Sequence, residues 1–220
     1  MRQRRSTKRS EERSLDARSA AELEREYKSA LALGSALAAE AVRQLEHLFD
    51  QEGITLGFPI QSRVKGWPSI REKINRLSFD IESVWDFQDF VGIRLVLVFR
   101  RDVERTCEVL NRHFKIMRRY DTGERLGADQ FGYSSVHFVV ELPDSWLSVP
   151  TLQRFSGRQL EIQLRTVAQH LWAEASHVLQ YKREENVPRP IARSVSRLSA
   201  LLESVDLELE RVLTDRAKYR

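Results

Sequence analysis

The sequence predicts an α+β fold: a sheet flanked by helices and extended by further helices at both ends. Three observations predict it. Five segments read as strands, interleaved irregularly with helical ones rather than in the strict alternation of a doubly wound sheet. One of them, Val91 to Phe99, is a nearly continuous Val/Ile/Leu/Phe run, the pattern of a central strand buried on both faces. Long stretches near either end repeat apolar residues at helical spacing.

Taken in order, residues 1–18 are polar without apolar periodicity and read as a disordered basic arm, either simply solvated or in contact with RNA. Residues 19–53 form a helical extension in which Leu23, Tyr27, Leu31, Leu37, Ala41, Leu45 and Leu48 share a face and Gly53 is the stop. The body, residues 54–185, begins with a strand in 54–65 and a helix opened by Pro68 and carrying Ile70, Ile74 and Leu77. After the Val91–Phe99 strand come a helix at 102–113, a strand at Phe114–Tyr120 and a polar loop, Asp121–Gln130, with Gly123 and Gly127. Strands at Tyr133–Leu142 and Gln159–Leu164 precede helices at 166–182 and 191–217, separated by Pro188 and Pro190. The last helix, within a C-terminal unit of residues 186–220, spaces Leu198, Leu201, Leu202, Val205, Leu209 and Val212 for burial against the body or a second subunit.

At 220 residues and 41% hydrophobic, the chain can bury one good core. Its net charge of +4 is misleading, because the first 20 residues hold seven Arg or Lys against three acids and account for all of it. The body must therefore make its basic pockets by arrangement. Cys107 is the single cysteine, which rules out an intrachain disulfide and fits a reducing compartment. No apolar run approaches the roughly 18 residues of a membrane span, and no apolar stretch follows the basic N-terminus. A cytoplasmic protein without a membrane partner is expected.

Five polar signatures carry the chemistry. In Arg63-Val64-Lys65-Gly66-Trp67-Pro68-Ser69-Ile70-Arg71-Glu72-Lys73, Arg63 and Lys65 share one side of a strand, and Lys73 lies on the following helix. These cations suit either a polyphosphate or a solvated strand edge. In Asp89-Phe90-Val91-Gly92-Ile93-Arg94, an arginine inside so apolar a strand must find a partner. Either it salt-bridges to Asp89 or Asp86, or it stacks on a base while Asp89 ligates Mg²⁺. Glu161-Ile162-Gln163-Leu164-Arg165-Thr166 puts Glu161, Gln163 and Arg165 on one face, as a polar edge stripe or as a second carboxylate for the same metal. Gly132-Tyr133-Ser134-Ser135-Val136-His137 places Tyr133, Ser135 and His137 together, packed in the core or forming an aromatic platform with two polar groups. In His170-Leu171-Trp172-Ala173-Glu174, His170, Glu174 and His177 share a helical face suited to packing on the sheet, since the zinc-protease order is absent. No P-loop, dinucleotide glycine fingerprint or nucleophile elbow occurs.

In this order and spacing, the five signatures resemble the synthetase domain of the RelA/SpoT alarmone family, over roughly residues 55–185. The resemblance implies a nucleotidyltransferase-like mixed sheet of five strands. It implies transfer of the β,γ-pyrophosphate of ATP to the 3′-hydroxyl of GDP or GTP, releasing AMP and making (p)ppGpp, by a small synthetase-only enzyme without the family's companion hydrolase domain. By motif, Arg63 and Arg94 resemble the pair that sandwiches adenine, and Lys65, Ser69 and Lys73 the donor-phosphate segment. Asp89 and Glu161 resemble the Mg²⁺ ligands, with Glu161 also placed to help deprotonate the acceptor. Tyr133 resembles the aromatic that stacks on the acceptor base, while Ser135, His137, Gln163 and Arg165 line the acceptor side. One departure stands out: many guanosine-specific members carry a lysine where this chain has Asp129. An acceptor other than a guanosine nucleotide, namely an adenosine nucleotide or the tRNA 3′ end, is the alternative within the family. A catalytically silent nucleotide- or RNA-binding regulator is the alternative outside it.

Overall fold

A computed structural model describes residues 20–76, 81–123, 135–179 and 189–219. The basic arm, most of the polar loop with Asp129, and Tyr133 lie outside the described residues.

Helix α1 (Ala20–Glu52) takes its form from the expected stripe: Leu23, Leu37, Ala41 and Leu45 are almost wholly buried. It ends where Gly53 adopts φ +62°, a conformation that favours glycine. Strand β1 (Gln61–Val64) leads into α2 (Trp67–Arg76), with Pro68 in its first turn. Then come β2 (Val91–Leu97), α3 (Arg100–His113), β3 (Lys115–Asp121), β4 (Val136–Glu141), a one-turn α4 (Asp144–Leu147), β5 (Leu160–Thr166), α5 (Val167–Leu179) and α6 (Arg189–Lys218).

The five strands form one sheet in the order β1-β2-β5-β4-β3, parallel only between β2 and β5. This is the mixed α+β sheet expected. Register sorts its two faces. Ile93 pairs with Ile162, Leu95 with Leu164, and Phe138 with Ile162, making an apolar face. The other face carries Gln61 and Arg63 (β1), Gly92 and Arg94 (β2), Glu161, Gln163 and Arg165 (β5), His137 (β4), and Arg118 and Tyr120 (β3).

Helix α1 packs closely on β1 and β2. A Cβ at Gly34 would meet Val64 at 3.3 Å and Phe90 and Val91 at 3.4 Å, so the small residue sets this approach. One expectation is corrected here: β2 is not buried on both faces. Gly92 and Arg94 are half-buried because their side of the strand floors a cavity, whereas Val96, farther along the same side, is buried. Two short 3₁₀ turns, Val84–Asp86 and Gln153–Phe155, and α4 are additional to the elements expected.

Helix α6 docks through polar groups. The Thr166 hydroxyl donates to Asp206 at 2.6 Å, and the Arg101 guanidinium reaches Glu210 at 2.5 Å. Ser199 and Asp206 are buried, while Leu201, Val205 and Val212 stay about half exposed or more.

Candidate active site

The donor-side cations converge on one carboxylate. Asp89 sits in the turn entering β2, closed by the Phe90 N–H donating to the Phe87 carbonyl at 2.8 Å. The Lys65 ammonium, at the end of β1, donates to Asp89 Oδ2, and Lys73, from α2, donates to Oδ1 at 3.1 Å. Burial pushes the Asp89 carboxyl up, but the two ammonium groups more than offset it and hold the group below the usual carboxylate range. Ser69 lies in the first turn of α2, one helical turn before Lys73 and therefore on the same side.

Arg94 has a partner the sequence did not suggest. It does not pair with Asp89 or Asp86. Its Nη1 donates to Glu174 of α5 at 3.0 Å and to Gln61 at 3.2 Å, whereas Asp86 accepts from the Glu82 and Ser83 backbone N–H groups to cap its own 3₁₀ turn. Arg63 is exposed on β1 beside Gly92. Between them lies a cavity of about 180 Å³ lined by Gln61, Arg63, Gly92, Arg94, Glu161 and Gln163. Arg165 is half-buried next to this cluster. Burial, aided by the nearby Arg94 charge, pulls its guanidinium down to about 10. Three arginines held this close favour an anion among them.

The acceptor-side residues form a directed hydrogen-bond network. The Gln163 amide donates to His137 Nε2 at 3.0 Å, which leaves His137 Nδ1 to carry the proton it donates to Glu161 Oε1 at 2.9 Å. Ser135 Oγ lies 2.8 Å from Nε2. Tyr120 Oη donates to the same Glu161 oxygen at 2.6 Å, and its ring stacks on His137 at 4.7 Å and 14°. Burial pushes the Glu161 carboxyl up, and these two hydrogen bonds bring it below the usual range against repulsion from Asp89. Burial and the Glu161 contact push the Tyr120 phenol up, so it stays a donor.

Of the expected site residues, Arg63, Lys65, Ser69, Lys73, Asp89, Arg94, Ser135, His137, Glu161, Gln163 and Arg165 come together along one sheet face and its margin. Tyr133 lies outside the described residues. Both His137 nitrogens have protein partners, Glu161 at Nδ1 and Gln163 and Ser135 at Nε2. Tyr120 escaped the sequence reading. It belongs to no motif, and only the β3–β4 register, pairing it with His137, brings it to the site.

Asp89, in the turn before β2, repels Glu161 of β5 electrostatically. Among the described residues no cluster of three or more metal-ligating side chains forms. A divalent ion held between Asp89 and Glu161 would take its remaining ligands from phosphate oxygens and water.

Residues 62–186 match the family model described as a region found in RelA / SpoT proteins. The chain belongs to the RelA/SpoT family. It is 31% identical over 159 residues to the GTP pyrophosphokinase YjbM of Bacillus subtilis (strain 168), covering 70% of each chain. Among solved structures it is similar to a GTP pyrophosphokinase family protein from Streptococcus pneumoniae, at 26% identity and a TM-score of 0.73, over 88% of this chain and 96% of that one. It is also similar to the small alarmone synthetase 1 of Bacillus subtilis bound to its product pppGpp, at 26% identity and a TM-score of 0.65, over 87% and 95%. The RelA/SpoT match begins within β1 and runs past α5, so it contains all of the polar face except Gln61, whereas α1 precedes it and α6 follows it.

Proposed function

We propose that this protein transfers the β,γ-pyrophosphate of ATP to the 3′-hydroxyl of GDP or GTP, making (p)ppGpp and releasing AMP. The observation that carries this reading is the division of one sheet face into two adjoining halves. Lys65 and Lys73 gather on Asp89, Arg63 and Arg94 line the neighbouring cavity, and a hydrogen-bonded carboxylate, Glu161, shares that cavity. The relatives named as GTP pyrophosphokinases support the choice of acceptor.

In this mechanism, Arg63 and Arg94 offer flat cations to adenine, and Lys65, Ser69 and Lys73 meet the donor phosphates. Asp89 and Glu161 would hold Mg²⁺, which when bound neutralises charge on the phosphates. The acceptor 3′-oxygen forms a bond to the β-phosphorus as the bond from that phosphorus to the α,β-bridging oxygen breaks. Glu161, kept ionised by His137 and Tyr120, takes the hydroxyl proton as the oxygen becomes acidic. Little covalent work remains for the protein beyond alignment and charge stabilisation.

The test is purified protein with ATP labelled in its β- and γ-phosphates and, separately, GDP, GTP, ADP and tRNA. Label in guanosine nucleotides is expected. Label confined to tRNA or ADP would sink this assignment in favour of the acceptor alternatives that Asp129 raises, and no transfer at all would favour a silent regulator. Tyr133→Ala should weaken acceptor binding by about 1–3 kcal/mol, the range for base–aromatic stacking, with kcat largely kept. An unchanged acceptor KM would remove Tyr133 from the platform role.

The unburied apolar residues of α6 support self-association, and the free, buried Cys107 supports a cytoplasmic location. Among the described residues no helix is long and apolar enough to cross a membrane. Light scattering should find an oligomer that Val205→Glu dissociates, since a charge there would be buried between copies. A monomeric wild type would refute it.

A further inference from the structure

We propose that Tyr120 is a positioning residue for the transfer reaction, pinning one oxygen of Glu161 so that the other is presented to the acceptor hydroxyl. The inference rests on the pyrophosphokinase reading above.

A glutamate on a strand has three side-chain torsions and, left to itself, samples several rotamers. Here two donors approach Glu161 from β3 and β4 and both take Oε1: the Tyr120 phenol at 2.6 Å and the His137 imidazole at 2.9 Å. Two donors on one oxygen fix the direction of the whole carboxylate, and among the described residues Oε2 is the oxygen left open to other partners.

The donors are themselves held. Gln163 and Ser135 contact His137 Nε2, which sets its tautomer. The Tyr120 ring lies flat on the His137 ring, and the Arg118 guanidinium stands 5.2 Å from the Tyr120 centroid. Arg118, Tyr120 and His137 thus form a packed row across β3 and β4 that ends at Glu161. The phenol has a structural alternative, which is to point its hydroxyl to water, as tyrosines at partly exposed positions commonly do. Instead it is turned into the site. A tyrosine needed only for packing would work as well without its hydroxyl.

Tyr120→Phe isolates the question, because phenylalanine keeps the ring stack and removes the one hydrogen bond. The wild type and variant are compared for turnover, for KM of ATP and GDP, for GDP binding by calorimetry and for thermal unfolding. The expected result is a kcat lowered about 10- to 100-fold, the range for losing a hydrogen bond to a charged group at the transition state. Both KM values and GDP affinity should stay within about threefold, since binding groups are untouched. The melting temperature should fall by no more than the few degrees that one lost hydrogen bond costs, leaving the variant folded at the assay temperature.

A second comparison places Tyr120→Phe in a Glu161→Asp background. The shorter side chain withdraws the carboxylate from the phenol, so the further loss should be small. Unchanged kcat in Tyr120→Phe, an equal loss in both backgrounds, or a fall in kcat matched by a fall in GDP affinity or by unfolding at the assay temperature would each overturn the proposal. These outcomes leave the reaction itself intact, because the wild type still transfers. A wild type that makes no product overturns the pyrophosphokinase reading, and this proposal with it.

Discussion

Asp89→Asn should abolish pyrophosphoryl transfer, lowering kcat by about 10³-fold or more, at the upper end of what removing one preorganised electrostatic group does. The substitution changes volume little but removes the carboxylate that Lys65 and Lys73 share. That carboxylate keeps the two ammonium groups where donor phosphates would meet them, and it is one of the two proposed metal ligands. Steady-state assays at neutral pH, with circular dichroism confirming the fold, check this. Near-normal turnover would remove Asp89 from the metal role.

The same variant tests the sign of a linkage. Because the folded-state pKa of Asp89 is depressed, its contribution to stability is present above the ordinary carboxylate range and is lost as pH falls through the folded value. The stability difference between wild type and Asp89→Asn should therefore be largest near neutral pH and shrink in acid. A gap that widens on acidification would contradict the pairing with Lys65 and Lys73.

Phe90→Ala should cost about 3–5 kcal/mol of folding stability, the range for truncating a large buried aromatic. Phe90 is 1% exposed and packs edge-on against Trp85 at 4.8 Å and Tyr27 of α1 at 6.2 Å, and its ring is one of the groups nearest Gly34. Its carbonyl accepts from the Lys65 N–H at 2.7 Å, tying the residue after β1 to the turn that carries Asp89. One ring thus joins the N-terminal helix, a 3₁₀ turn and the donor half of the site. Against a typical total of 5–15 kcal/mol, such a loss would leave the variant marginal. Urea unfolding would measure it, and a shift below about 1 kcal/mol would mean that the core around Phe90 collapses to fill the gap.

Much of this architecture was legible because its signals are local. The spacing of Leu23, Leu37, Ala41 and Leu45 specified α1, and Gly53 marked its end. The apolar run from Val91 located the central strand, and two-residue alternation put Glu161, Gln163 and Arg165 on one face. The Val84–Asp86 turn is not legible from periodicity although Ser83 and Asp86 have the spacing of a capping box, because a single 3₁₀ turn is too short to repeat an apolar pattern.

By itself, then, the sequence determined which chemical groups this protein has and on which elements they lie: the cations near β1 and α2, Asp89 before β2, and Glu161 within β5. Only the tertiary structure decided whom each group meets. Arg94 reaches Glu174, 80 residues away, rather than its neighbour Asp89, and Tyr120 meets Glu161 across two strand boundaries. The physical reason is that strand alternation is a property of one segment, readable from its own residues. Register and helix docking are set by burial and hydrogen bonding between distant segments, and those pairings choose the partners.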